Sequence, residues 1–168
     1  MRVYVPLTLS GLAAAHGAGE VGPGPLTAYA VTPGLREWYV SDDIEELEYA
    51  ALSRAAAASL RMIAGRPEEA RRRVVVAVDV PDGTAVAEPG QVLDASSLGE
   101  VRIEGAVALA AAAAVHVDAD DAEKDVAAAA AALGAADLGD DDAQFTVDGA
   151  DDHELLWFGI QEIPGLIG

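Results

Sequence analysis

The stretch that most constrains the fold lies between three consecutive arginines and a proline, because it is apolar almost without interruption. From Val74 to Val80, Asp79 is the single polar residue. Alternating apolar and polar residues are typical of a strand with one covered face, whereas a continuous apolar run is typical of a strand covered on both faces. We therefore expect a strand from Arg73 to Pro81 at the centre of a sheet.

Other short runs predict further strands. Residues 2–7 and 26–32 are rich in β-branched and aromatic residues, and Pro33 and Gly34 end the second run. Strands are also predicted at residues 101–103, as an edge strand, and at 111–117. A last strand is predicted at 155–160, where a helix reaching Ile163 is the alternative. Gly, Pro, Asp and Ser dominate residues 82–98, which predicts a loop.

Two segments have the apolar spacing of long amphipathic helices. The first covers residues 43–64, with Asp42 and Glu45 at the spacing of a capping box. The second covers residues 121–133, and Asp120 is expected to cap it. Shorter helices are predicted at 9–16, capped by Thr8 or Ser10, and at 35–39.

Residues 134–152 consist mainly of Gly, Ala and Asp, which predicts a mobile acidic loop. The order of strands and helices predicts an α+β fold, with a mixed β-sheet and helices packed on one face, as in a ferredoxin-like sandwich. A length of 168 residues is typical of a single domain.

Negative charge is concentrated in the second part of the chain. Residues 104–168 carry fifteen acidic side chains against the single base Lys124, whereas residues 1–103 carry fourteen acids and nine arginines. The formal net charge is −19. Such a surface repels phosphate groups and excludes nucleic acid and anionic membranes as direct partners. It favours encounter with a basic protein surface.

The absence of cysteine excludes disulfides, thiolate ligands and a cysteine nucleophile, and it favours a cytoplasmic location. The apolar run at residues 105–115 is mostly alanine and far shorter than the ~20 residues of a membrane span. Gly17, Gly19 and Gly22 have the spacing of a dinucleotide fingerprint, but they follow a predicted helix instead of a strand. We expect no cofactor.

The best candidate for a metal site is formed by His116, Asp118 and Asp120. His116 and Asp118 alternate onto one face of a strand, and oxygen ligands suit Mg²⁺ or Ca²⁺. This set supports the alternative function of a small metal-assisted hydrolase. However, no second histidine lies nearby, and a strand end that leads into a capped helix explains the aspartates without an ion. We therefore expect neither a bound metal nor catalytic residues.

Four of the eight aromatic residues are candidates for partner binding. Aromatic side chains in an alanine-rich protein mostly fill the core, and the remainder mark an interface. We expect most of the four to be core residues. The candidate partner-binding set, which includes two polar residues near the C-terminus, is Trp38, Tyr39, Trp157, Phe158, Gln161 and Glu162.

Several strings are similar to a family of actinobacterial proteins without assigned enzymatic function. They are residues 1–7, the segment 27–57 with its strings 36–39 and 43–48, and residues 115–118, 155–158 and 161–164, so the resemblance spans nearly the whole chain. The resemblance implies a regulatory role. The implied protein partner is a ParA-type chromosome-segregation ATPase, and the implied role is to modulate the polymerisation of that ATPase. The alanine-rich helix at 43–64 also offers a face for pairing with its copy in a homodimer.

Overall fold

Antiparallel strands organise the molecule. The computed structural model describes residues 1–87 and 97–168. The strands are β1 (Arg2–Leu7), β2 (Glu20–Val21), β3 (Leu26–Ala30), β4 (Val74–Asp79), β5 (Ala85–Ala87), β6 (Glu100–Ile103), β7 (Val107–Ala108), β8 (Ala112–Val117) and β9 (Leu156–Phe158). Within the described residues, seven of them form one sheet in the order β5-β6-β3-β1-β4-β8-β9, and β2 pairs with β7.

Helices cover both faces of the sheet. They are α1 (Leu9–Ala18), α2 (Pro33–Tyr39), α3 (Ile44–Ala64), α4 (Glu123–Asp137), α5 (Asp141–Asp151) and α6 (Ile163–Ile167). Helices α1 and α6 pack on the face that carries Val3, Val74 and Val115. Helices α2 and α3 pack on the opposite face, while α4 and α5 pack against the C-terminal end of α3.

Strand β4 lies inside the sheet between β1 and β8, as the apolar run predicts. Val74, Val75 and Val76 are fully buried although they alternate between the two faces. Val74 and Val76 contact the α1 side, and Val75 contacts the α3 side. The prediction of a strand covered on both faces is confirmed.

The predicted α+β class is confirmed, and the structure adds two details that differ from the predicted arrangement. Every strand pair is antiparallel, so β1 pairs with β3 and β4 without the parallel crossover of a ferredoxin-like unit. Helices lie on both faces instead of one, because β4 exposes apolar side chains in both directions and each face must be covered.

The prediction of a mobile acidic loop at residues 134–152 is wrong. Helix α4 continues to Asp137, and α5 begins after Asp140, whose carboxylate accepts a hydrogen bond from the Ala143 N–H at 3.0 Å. Asp141 and Asp142 lie in the first turn of α5, where negative charge is favourable. The acidic residues therefore begin a helix.

The loop predicted at residues 82–98 is wrong for Ala85–Ala87, which form β5, and residues 88–96 lie outside the described part of the chain. Because β5 pairs with β6, β6 is not an edge strand.

Two predicted caps also differ. Asp43, not Asp42, caps α3, and Asp120 begins a 3-10 turn before α4 instead of capping that helix.

The apolar stripe of α3 faces its own sheet. Leu47 is fully buried, and Ala51 and Ala55 are fully buried in the cluster that contains Tyr4 and Val75. This face is therefore not available for pairing with a second copy, and the sequence argument for a homodimer through α3 does not hold. A homodimer through another surface stays a prediction.

Candidate interaction groove

Two adjoining depressions lie between α3 and the last two strands of the sheet, with volumes of about 580 and 510 Å³. Both are lined by Tyr49, Leu52, His116 and Trp157, so they form one continuous surface, which we call the α3 groove. The side chains used below are, in the larger depression, Tyr39, Arg54, Arg73, Asp151 and Glu154, and in the smaller depression, Arg2, Glu45 and Glu48.

Strand register places the floor of the α3 groove. His116 on β8 lies opposite Val75 on β4 and opposite Trp157 on β9. Directly opposed residues in antiparallel strands project from the same face of a sheet. Val75 is covered by α3, which packs mainly on β1, β3 and β4. The helix therefore leaves His116 and Trp157 on the adjacent, less covered part of the same face.

Three exposed aromatic side chains line the groove, each from a different element. Trp157 on β9 is 63% exposed, Tyr49 on α3 is 54% exposed and Tyr39 on α2 is 40% exposed. Large aromatic side chains gain most when their apolar surface is buried. Several exposed rings around one depression are typical of a surface that another molecule covers.

The end of α2 places Tyr39 beside the groove. Thr32 caps this helix by accepting a hydrogen bond from the Leu35 N–H at 3.2 Å, and Pro33 occupies its first turn. The helix ends at Val40, which adopts φ 48° and ψ 47°. This left-handed conformation costs a residue other than glycine about 1–2 kcal/mol. Backbone strain of this kind concentrates at functional sites.

The structure separates the predicted partner-binding residues. Tyr39 and Trp157 line the α3 groove, whereas Trp38 is 59% exposed but does not line it. Phe158 follows Trp157 and projects from the other face of the sheet, where it packs against the core. The expectation that most of these aromatics fill the core is wrong, because three of the four are exposed.

Gln161 and Glu162 lie in the 3-10 turn that follows β9 and do not line the groove. The Glu162 carboxylate accepts a hydrogen bond from the Gly159 N–H at 2.7 Å, so this side chain stabilises the turn. Gln161 is exposed. Their use as contact residues stays a prediction.

Sequence reasoning missed Tyr49 and His116. Tyr49 lies on α3 outside the apolar stripe of that helix, and an aromatic residue in such a position is a readable signal of exposure. His116 was considered as a metal ligand, and its proximity to Trp157 depends on the pairing of β8 with β9. That pairing is not visible in the sequence.

Acidic side chains line the groove next to the aromatic residues. They are Glu45, Glu48, Asp151 and Glu154. Glu48 accepts a hydrogen bond from the Tyr4 hydroxyl at 3.0 Å. Burial, with the nearby Glu48 charge, raises the pKa of Tyr4 to about 12. Burial and the charge of Arg2 lower the pKa of His116, so its imidazole is neutral at neutral pH.

Arg73, which lines the larger depression, belongs to a buried ion pair. Arg73 and Asp118 are 2% and 0% exposed. Two nitrogens of the Arg73 guanidinium donate to the two carboxylate oxygens of Asp118, each at 2.8 Å. The same guanidinium donates to the carbonyl oxygens of Ala150 at 2.9 Å and His153 at 3.0 Å. One arginine thus joins the start of β4 to the segment that leads into β9.

The structure does not assemble the candidate metal ligands. Both Asp118 oxygens are engaged by Arg73, and the Asp120 side chain is 96% exposed, 3.9 Å from Arg72. His116 lines the groove instead. In residues 1–87 and 97–168, no group of three or more His, Asp or Glu side chains is arranged to hold a metal ion.

Comparison with known protein families found one match, which covers residues 1–167 and is described as a family of unknown function, DUF6912. The chain belongs to this family. Neither the curated proteins nor the solved structures gave a match for this DUF6912 chain. Family membership confirms the expected resemblance to proteins of unassigned function. The actinobacterial distribution and the link to ParA stay predictions.

In the part of the chain that the structure describes, no helix has both the length and the apolar character to cross a membrane.

Proposed function

We propose that this DUF6912 chain is a non-enzymatic regulatory protein that binds another protein through the α3 groove. The observation that carries this proposal is the set of three exposed aromatic rings, Tyr39, Tyr49 and Trp157, which come from three separate elements and line one depression. Tyr and Trp are enriched among the residues that dominate binding energy at protein interfaces.

The polar groups of the groove support binding over chemistry. Glu48 accepts a hydrogen bond from Tyr4, and Arg73 donates to Asp118, which lies outside the groove. The His153 Nε2 atom lies 2.7 Å from the carboxylate of Asp125. His116 has a lowered pKa and lies opposite Trp157, a side chain without acid–base chemistry. A catalytic acid or base must be a titratable group that lies within hydrogen-bond reach of the substrate. The charged groups with the most defined geometry, Glu48 and Arg73, already make hydrogen bonds that stabilise the fold.

We further propose that the partner is a ParA-type chromosome-segregation ATPase. The chain resembles ParJ, an actinobacterial protein that restrains ParA polymerisation. ParA-type ATPases bind DNA through basic surfaces, which are complementary to a chain of net charge −19. A protein that binds the unassembled state more tightly than the filament shifts the assembly equilibrium toward unassembled ParA.

Light scattering of ParA with ATP tests this proposal. The wild-type protein is expected to lower the scattering plateau at stoichiometric ratios. Trp157→Ala removes the most exposed ring of the groove and is expected to weaken the effect by about 30-fold in concentration, as for a hot-spot residue worth ~2 kcal/mol. Phe145→Ala is the matched control, because Phe145 is an 81% exposed aromatic on α5 outside the groove.

The two parts of the proposal fail separately. Unchanged ParA assembly in the presence of excess wild-type protein rules out ParA as the regulated partner. Inhibition by Trp157→Ala that equals inhibition by the wild type shows that the partner binds elsewhere on the molecule.

A further inference from the structure

We propose that the α3 groove binds a cationic side chain, an arginine or lysine of the partner protein, between its exposed aromatic rings and its carboxylates. This inference rests on the proposed function, since it assigns the chemistry of what the groove accepts.

The aromatic residues provide the first element of such a site. Tyr39, Tyr49 and Trp157 line the same depression, and each keeps at least 40% of its surface exposed. A cation within about 6 Å of an aromatic ring face is attracted by the ring quadrupole, and tryptophan is the strongest partner. Rings that come from three elements can surround one cation, as in the aromatic cages that recognise ammonium groups.

The charge balance of the groove provides the second element. Four carboxylates line it, against the three arginines Arg2, Arg54 and Arg73. Two of these arginines are matched by carboxylates that do not line the groove. Arg2 pairs with Asp79 at 2.7 Å, and Arg73 pairs with Asp118 at 2.8 Å. Arg73 also lies 3.8 Å from Asp151, so this groove carboxylate is partly neutralised, and Glu45, Glu48 and Glu154 remain for an entering cation.

His116 adds no positive charge to this balance at neutral pH, because its pKa is lowered by burial and by Arg2. With His116 and His153 counted as neutral, the four carboxylates exceed the three arginines by one, so the lining carries a small net negative formal charge. A cation that enters it meets carboxylates such as Glu45 and Glu154, both of which are exposed.

The size of the groove and the field of the whole molecule agree with this assignment. The larger depression, about 580 Å³, lies in the range of pockets that hold a whole small molecule, roughly 300–1,000 Å³, so it has room for one arginine or lysine side chain. A net charge of −19 attracts basic surfaces over long distances and repels acidic ones. Long-range attraction brings the partner close, and the groove then takes one of its cationic side chains.

Trp157 itself is the reporter for the test. The chain has two tryptophans, so Trp38→Phe leaves Trp157 as the single tryptophan without altering the groove lining. This protein is titrated with an acetylated and amidated glycine pentapeptide that carries one central arginine. The matched probe replaces arginine by citrulline, which has nearly the same shape and no charge, and a third probe carries glutamate.

We expect a saturable change in Trp157 emission with the arginine peptide at millimolar concentration, and at least 10-fold weaker binding of the citrulline peptide. We expect no saturation with the glutamate peptide. Equal binding of the arginine and citrulline peptides overturns the assignment. The absence of saturation by the arginine peptide up to about 10 mM also overturns it.

Variants of Tyr49 separate the ring from its hydroxyl group. In the Trp38→Phe background, Tyr49→Phe keeps an aromatic ring and is expected to bind the arginine peptide within 2-fold of its parent. Tyr49→Ala is expected to bind several-fold more weakly. Thermal unfolding of each variant confirms that it is folded, and Phe145→Ala again serves as the distant aromatic control. A Tyr49→Ala variant that binds as well as Tyr49→Phe contradicts the role of the ring.

Failure of this inference is distinct from failure of the proposed function. If the arginine peptide does not bind but ParA assembly is still inhibited in a Trp157-dependent manner, the groove recognises its partner by another chemistry. If the arginine peptide binds as expected but ParA assembly is unaffected, the cation site stands and the partner is a different basic protein.

Discussion

At the scale of single residues, the Arg73–Asp118 pair joins the start of β4 to the residue that follows β8. The sequence shows three consecutive arginines at 71–73 and an aspartate after a later strand, but it does not show which of them pair. The register of β4 and β8, in which Val74 lies opposite Val117, brings Arg73 beside Asp118. Asp118 was considered as a metal ligand because residue type alone does not distinguish a ligand from an ion-pair partner.

Removal of the Asp118 charge is expected to destabilise the protein strongly. Asp118→Asn removes the buried charge that pairs with the Arg73 guanidinium and leaves only the 69% exposed Asp151, 3.8 Å away. Loss of one partner of a buried pair costs about 3–5 kcal/mol. Urea unfolding is the measurement. Asp120→Asn is the control, because this side chain is 96% exposed and lies 3.9 Å from Arg72, so its unfolding midpoint should match the wild type. Equal stability of Asp118→Asn and wild type contradicts the structural role of the pair.

At the scale of elements, strands with strong apolar patterns were predictable, and elements of weak pattern were not. Arg2–Leu7 was predicted with the observed bounds, because a short apolar run followed by the Thr8 cap leaves little ambiguity. The sequence analysis does not predict helix α5, because a high content of Asp and Gly is typical of a loop. The helical spacing of Ala143, Val147 and Ala150 on its inner face is a weaker signal. The Asp140 cap and the acidic first turn were readable signals of a helix start.

The alanines of α3 allow this helix to lie close to the sheet. Ala55 is fully buried against Tyr4 and Val75, so Ala55→Leu is expected to destabilise the fold by about 1–3 kcal/mol through overpacking. Ala57→Leu, on the exposed side of the same helix, is the matched control and should unfold at the wild-type denaturant concentration. Chemical denaturation of both variants is the measurement. A stable Ala55→Leu variant contradicts the close packing of α3 on the sheet.

At the scale of the whole molecule, the groove forms where the two parts of the chain meet. Tyr39 and Tyr49 come from the weakly charged first part, whereas His116 and Trp157 come from the strongly acidic second part. Composition predicted the acidic surface, and two of the predicted contact residues do line the groove. Their convergence depends on strand order and on the position of α3, which follow from packing between distant segments and not from any local pattern.

The claim that the α3 groove is where this protein meets its partner is tested most directly by NMR with ¹⁵N-labelled protein and added ParA. A chain of 168 residues is within reach of this method, and its two tryptophan indole N–H groups are separate probes. We predict that the Trp157 indole signal and the amides of β9 and of the first half of α3 shift or broaden. The amides around Phe145 on α5 should stay unchanged. Perturbation centred on α5 with an unaltered Trp157 signal would contradict the account.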